Sequence, residues 1–413
     1  MLRPIRLAAG WSVALLAAFL LNLALARPAA APSTVAAAPV GVPSAGPALS
    51  PGASLPAGEL PPAASPAPGQ EIDGGAPQPV ELAALSPGRA AALDAATDRA
   101  RQAFGLSALA IGVSIHGRSG WTGASGLARD GVTPLTGDSP FAIASITKTF
   151  TAALVLELVE EGRLSLTDRA ADLLPGVRVP PDVTVAELLR HTSGIADILP
   201  NLRGRLDAHP NRIWTGKKVA SAVANPWYHA GGAYAYSNTN YVLLGMIVQR
   251  VGGRPYRKQL HERLLGPLEL HRTGLLLSKG APPLMTPSWA SAFGTAGRMY
   301  ASAHDLLAWG DALYGGRVLA PASLHHMLDF RRHGYGMGAE RIHVGRLTGY
   351  GHSGLLRGYT SLMVRLPDQD ITMVVMGTTA LFDPARVLAY RQGPMPSILD
   401  LALRYAGEAQ LPN

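Results

Sequence analysis

Cysteine is absent from all 413 residues. That excludes a disulfide framework, a Cys-ligated zinc or iron–sulfur centre, a thiol nucleophile and an N-terminal lipid-modified cysteine. Charge is sparse at 15% of residues, and aromatics make up only 6%. Acidic residues are the minority, 28 against 36 Lys and Arg, for a formal net charge of +8. The surplus is scattered, with no long Lys/Arg run and no interleaved aromatics, which argues against nucleic-acid binding and for no more than a mild attraction to anionic envelope polymers. An apolar fraction of 47% excludes a chain disordered throughout.

What is present is unevenly spread. Arg3 and Arg6 precede an uncharged stretch over 7–26 that ends in small residues. A basic start, an apolar middle and a small-residue end define a secretory signal, and about 20 apolar residues also suffice for an uncleaved anchor. Residues 1–26 are therefore expected to be a signal peptide or membrane anchor, and the rest of the chain to lie outside the cytoplasm, periplasmic or secreted. Residues 27–88 follow as a tether: 38 of these 62 are Pro, Ala or Gly, and none is aromatic. Such a stretch buries too little apolar surface to offset its ordering entropy, and as a coil it would span about 40–45 Å. Residues 89–413 read as one folded domain, with 33 basic and 24 acidic residues.

Within that domain, periodicity predicts a helix over 90–104 and a hairpin of strands over 108–116 and 121–127. A strong helix over 145–161 ends at Gly162. The mixed region 163–325 holds further helices, including 241–251 and 303–314. Strands over 344–352, 359–366 and 371–377 and a helix over 396–406 close the chain. Strands at both ends with helices between predict an α+β fold: one antiparallel sheet built from both ends, flanked by helices, with a mostly helical subdomain inserted.

Three short motifs carry the chemistry. Ser145-x-x-Lys148 places an amine within reach of a hydroxyl on one helix face, and apolar flanks would bury the amine and lower its pKa. A helix start at Ser145 would also turn the positive dipole end toward a developing oxyanion. Alone, this spacing also fits a helix cap with a solvated lysine. Tyr236-x-Asn238 pairs a proton relay with an amide that donates and accepts, and by itself fits an ordinary turn. Gly351-His352-Ser353-Gly354 at a strand end would let an extended substrate lie against the strand edge. Gly351-x-Ser353-x-Leu355 is not a nucleophile elbow, because its fifth residue is not glycine.

Together, the order and spacing of the three motifs, 91 and 116 residues apart, resemble the serine penicillin-recognising hydrolases, in particular the class C β-lactamase and D-Ala-D-Ala carboxypeptidase type. Stretches 141–148, 188–195, 236–241, 243–245, 267–268, 302–305 and 350–354 support the resemblance, which covers 89–413. It implies that Ser145 is the acylated nucleophile, Lys148 its base partner and Tyr236 the group that passes a proton to the leaving group. Asn238 would hold a substrate amide, and the N–H groups of Ser145 and Leu355 would form the oxyanion hole. His352, Ser353, Gly354 and Leu355 would line the substrate. The 191–194 element reads as loop architecture.

His352 departs from the lysine that many relatives carry. A D-Ala-D-Ala carboxypeptidase of the family has His-Thr-Gly there, and its esterases vary at this point. A histidine is only partly charged near neutrality, so a titration of His352 in the activity profile is expected. No carboxylate of the kind that drives deacylation in class A β-lactamases is evident, which predicts slow β-lactam turnover. The expected activity is a metal- and cofactor-free serine hydrolase, most of all a D-Ala-D-Ala carboxypeptidase-like peptidase. Alternatives are a class C-like β-lactamase, an esterase or D-amino-acid hydrolase, and a penicillin-binding sensor without turnover. Expected partners are a small peptide, β-lactam or ester and peptidoglycan, with membrane contact only through the N-terminal segment.

Overall fold

The computed structural model describes residues 77–222, 233–330, 333–378 and 382–409. The expected signal or anchor, and the tether as far as residue 76, lie outside the described residues. No helix among the described residues is long and apolar enough to cross a membrane.

A seven-stranded sheet organises the chain. Its order is β1 (Ala83–Ala84), β3 (Ser119–Gly126), β2 (Ala108–Ile115), β10 (Ile371–Thr378), β9 (Tyr359–Leu366), β8 (Leu347–Leu356) and β7 (Glu340–Val344). The central β2–β10 pair is antiparallel, with Ile371 opposite Ile115 and Thr378 opposite Ala108. The two ends of the domain thus meet in the middle of one sheet, as the sequence predicts. A second, three-stranded sheet of β4 (Phe141–Ala142), β6 (Met299–Ala301) and β5 (Gly274–Leu275) ties the nucleophile region to the helical insertion.

Strand alternation sends side chains to two cores. From β2, Leu109, Ile111, Val113 and Ile115 face helices α1 (Pro87–Ala103) and α8 (Ile398–Ala409). Ala108 and Ala110 face the other layer. That layer holds α2 (Thr147–Glu160), α4 (Ile198–Ala208), α5 (Asn238–Gly252), α6 (Pro287–Gly297) and α7 (Ala303–Tyr314), with the shorter α3 (Val185–Arg190). Helix α2 is apolar nearly all round and buried from Thr147 to Leu156, as a core helix must be. Phe150 stacks on Trp309 with ring centroids 3.9 Å apart, and the indole donates to Thr149 Oγ1 at 2.9 Å.

The fold begins before residue 89. Ala83 and Ala84 pair in parallel with Ser119 and Gly120, and Leu82 lies so close to Gly120 that a Cβ there would come within 2.6 Å of it. Pro87 does not extend a tether; it opens α1 behind Ser86, where its missing N–H costs nothing. The Pro/Ala/Gly composition hides this change, because the same residue types serve a spacer and a helix start.

Candidate active site

The nucleophile turn comes first. Ser145 lies in a 3₁₀ turn, Ala144–Ile146, and α2 proper begins two residues later at Thr147. Ala144 has φ +47°, a left-handed conformation uncommon for a residue with a Cβ. The turn is pinned from two sides: Ile143 N–H donates to Met299 O at 3.0 Å, and Ser361 Oγ donates to Ile143 O at 3.0 Å. Ser145 keeps partial exposure while its neighbours are buried.

Lys148 lies one turn on and is fully buried. Its Nζ is 3.0 Å from Ser145 Oγ, 2.8 Å from Asn238 Oδ1 and 2.8 Å from Ala296 O. The last acceptor is a carbonyl near the C-terminal end of α6, where helix carbonyls lack partners within the helix. Burial pulls the amine down to about 7, opposed by the charges of Asp197 and Glu340. Three acceptors satisfy the ammonium; after losing one proton the amine keeps an N–H for Asn238 and for Ala296 and turns its lone pair to the serine hydroxyl.

Tyr236 and Asn238 come from the entry to α5, which starts at Asn238 rather than at Tyr241. Tyr236 lies beside Ser145, and its ring is 4.8 Å from Lys148 Nζ. Desolvation raises this phenol well above its ordinary range, so it is neutral. Asn238 is nearly buried, and its N–H and Nδ2 both donate to Asp197 Oδ1, at 2.7 and 3.0 Å. Asn238 therefore supports Lys148 directly, which leaves one of its amide N–H groups for a substrate.

One buried and one half-buried carboxylate, and one histidine, escape a reading by motif. Asp197, at the start of α4, is raised by burial. Glu340 opens β7 in the buried phase of Glu340-Arg341-Ile342-His343-Val344, and that phase is the signal that could have revealed it. Asp197 and Glu340 accept hydrogen bonds from Asn238 and from Ser353, respectively. The 191–194 element is more than loop architecture. His191 ends α3 in a left-handed conformation, φ +57°, and its ring lies 4.3 Å from that of Tyr236. Its Nδ1 accepts the Ser237 N–H at 3.2 Å, and burial keeps the ring neutral.

The third motif lies along β8. Strand β7 pairs with β8 only as far as Glu340 opposite Gly351, so among the described residues no strand covers 352–356 on that side. Ser353 N–H points to this free edge, since it donates to Glu340 Oε2 at 3.1 Å. Alternate residues of a strand direct their N–H groups the same way, so Leu355 N–H also points there. Gly354 brings β8 against the nucleophile turn: a Cβ at 354 would lie 2.4 Å from Ile143 O and 3.2 Å from Ala144 Cβ.

His352 departs from its expected role. It is fully buried, with Nδ1 donating to Ser353 O at 2.5 Å and Nε2 accepting from the Tyr335 hydroxyl at 3.0 Å. Desolvation, with Lys148 nearby, pushes it down to about 3. It is a neutral, fully hydrogen-bonded support under the strand, and near pH 7 it neither titrates nor presents a cation to substrate. Past the far end of β8, a cavity of about 410 Å³ is bounded by Arg129, Asp207, Trp289 and Arg357. The described residues hold no His/Asp/Glu cluster arranged to bind a metal.

A nucleophile turn, a buried amine, a phenol and a free strand edge on an α+β scaffold define a serine β-lactamase/transpeptidase-type protein. The Beta-lactamase family model matches residues 93–393, and the chain belongs to that family. It is 30% identical over 281 residues to penicillin-binding protein 4 of Amycolatopsis lactamdurans, spanning 59% of this chain and 73% of that one. The match to penicillin-binding protein 4* of Bacillus subtilis, at 31% identity, spans only 31% of that protein. Among solved structures, a D-stereospecific amidohydrolase from Streptomyces sp. superposes with a TM-score of 0.62 at 29% identity, covering 73% of this chain and 97% of that one. A D-amino acid amidase from Ochrobactrum anthropi SV3 shares the fold, with a TM-score of 0.66 at 22% identity over 78% of this chain and all of the other.

Proposed function

We propose that this protein hydrolyses an amide bond on the carbonyl side of a D-configured residue through an ester on Ser145. The observation that carries the reading is the 3.0 Å contact between Ser145 Oγ and a fully buried lysine amine whose pKa is drawn to about 7. Near neutrality a large share of that amine is unprotonated and able to take the serine proton. Attack on the carbonyl carbon forms a tetrahedral oxyanion held by the N–H groups of Ser145 and Leu355. Collapse passes a proton through Tyr236 to the departing nitrogen. Water then attacks the ester, with the same groups run in reverse.

Similarity to a D-stereospecific amidohydrolase and to a penicillin-binding protein supports a D-configured acyl donor. D-Ala-D-Ala peptides and D-amino-acid amides or esters are the two forms of that class; β-lactams would acylate and leave slowly. The basic start and apolar stretch of residues 1–26, read as a signal peptide or membrane anchor, support an extracytoplasmic place of work, beside peptidoglycan. The test incubates wild type and Ser145→Ala with D- and L-alanine p-nitroanilides and follows the protein by intact mass. Wild type cleaves the D-compound and carries an acyl mass on the Ser145 peptide, and Ser145→Ala does neither. Equal cleavage by the variant overturns the mechanism, and L-preference overturns the substrate class.

A further inference from the structure

The two donors that the third motif offers at the free edge of β8 are already engaged. Ser353 N–H and Ser353 Oγ–H both go to Glu340 Oε2, at 3.1 and 2.8 Å. Its other oxygen, Oε1, has no hydrogen-bond partner among the described residues and lies 3.6 Å from His352 Nδ1. Glu340 is itself buried and opens β7 where its pairing with β8 ends, at the point where an extended substrate would begin to pair with β8. Gly338, at φ +83°, lets this turn approach α2: a Cβ there would lie 2.6 Å from Ala152 Cβ and 3.1 Å from Lys148 O.

From this arrangement we infer that Glu340 sets the leaving-group specificity, favouring a leaving group that ends in an uncharged, hydrogen-donating amide, such as an amino-acid amide, over one that ends in a free carboxylate. The inference rests on the acyl-transfer reading above. A substrate carboxylate at this edge needs donors or a fixed cation. His352 is neutral and buried, and Ser353 directs both its hydrogens at Glu340. The Ser353 oxygen then offers lone pairs, which suit an amide N–H. A carboxylate would also sit within a few ångströms of a second carboxylate, in surroundings that screen poorly. The groups that face Glu340 are Lys148 from α2, His352 and Ser353 from β8, Tyr314 from α7, and the phenols of Tyr234, Tyr236 and Tyr335. Burial holds Glu340 up at about 7, so its charge builds through neutrality.

The experiment compares kcat/KM for diacetyl-L-Lys-D-Ala-D-Ala with that for the same peptide ending in a carboxamide. Wild type at pH 8 is expected to favour the carboxamide by about tenfold or more. Glu340→Gln, which keeps shape and removes charge, is expected to shrink that ratio several-fold. Ser353→Ala, which removes the accepting oxygen, should shrink it as well. The wild-type ratio should also rise from pH 6 to pH 8. Lys148 loses its positive charge over the same range and moves the ratio the same way, so the part that Glu340→Gln abolishes is the part owed to Glu340. A wild type that cleaves the free-carboxylate peptide as well or better overturns the inference, as does a ratio that neither variant changes; Ser145 acylation stands in both cases. A wild type with no Ser145-dependent cleavage of either peptide would instead overturn the acyl-transfer reading, and this inference with it.

Discussion

Asn238 Oδ1 accepts a hydrogen bond from Lys148 Nζ at 2.8 Å. Which way that amide faces is decided by Asp197, whose Oδ1 takes the Asn238 Nδ2 at 3.0 Å and its main-chain N–H at 2.7 Å. The carboxylate both orients the amide and raises the lysine pKa by its charge, against the larger effect of burial. Asp197→Asn removes the charge and keeps the volume. Lys148 then falls below about 7, and the acid side of the kcat/KM–pH profile is expected to move down by about half to one pH unit. A profile that stays in place would show that Lys148 is not the base whose titration controls the rate.

Lys148 is also a stability cost, with a sign that can be checked. Its folded pKa, about 7, lies below the 10.5 of an unburied lysine. Between those values the unfolded chain binds a proton that the folded chain does not, so this residue makes stability rise with pH across that window and adds nothing further below it. Lys148→Met should abolish turnover, by about 10³-fold or more, and stabilise the fold at pH 7 by about 1–3 kcal/mol. Lys148→Arg should be equally inactive, since a guanidinium keeps its proton. Urea unfolding of wild type and Lys148→Met at pH 7 and pH 10 tests this: the gap between them should narrow at the higher pH.

Helix and strand placement was legible where one period dominated. The apolar run behind Lys148 reads as a buried helix because it is one, and the alternating ends of the domain read as strands that share a sheet. The serine, lysine, tyrosine and asparagine come together because each lies in or just before the first turn of its helix. What stayed hidden depends on long-range burial. Glu340 and Asp197 are ordinary acidic residues in sequence, and only the folded chain makes them neighbours of the amine. His352 kept its predicted position but not its charge, because its surroundings exclude water. The domain start was misplaced because Val80 and Leu82, partly buried against the core, sit inside a spacer-like composition.

Gly354 is the point where β8 and the nucleophile turn nearly touch. Gly354→Ala would set a Cβ 2.4 Å from Ile143 O and 2.3 Å from Ser361 Oγ, forcing the strand away from Ala144 and Ser145. The Leu355 N–H moves with the strand, so the oxyanion loses alignment. The expected result is a drop in kcat of about 10²-fold, the size seen on loss of one oxyanion donor, with KM changed far less. Near-wild-type kcat with a normal melting temperature would show that this contact has slack and that the strand does not locate the oxyanion.

His352 separates two origins for any titration of activity near neutrality. If the imidazole titrated there, removing it would remove the transition. It is instead fully buried and drawn down to about 3, chiefly by desolvation, so it stays neutral throughout the range in which Lys148 and Glu340 change charge. His352→Gln keeps a donor for Ser353 O and an acceptor for the Tyr335 hydroxyl, and its activity is expected to fall by about tenfold or less. The midpoint of its kcat/KM–pH profile should stay within about 0.3 units of wild type, because the groups that set it are untouched. Disappearance of the transition in His352→Gln, with the variant folded by circular dichroism, would return the titration to the histidine and require a wetter site than this packing allows.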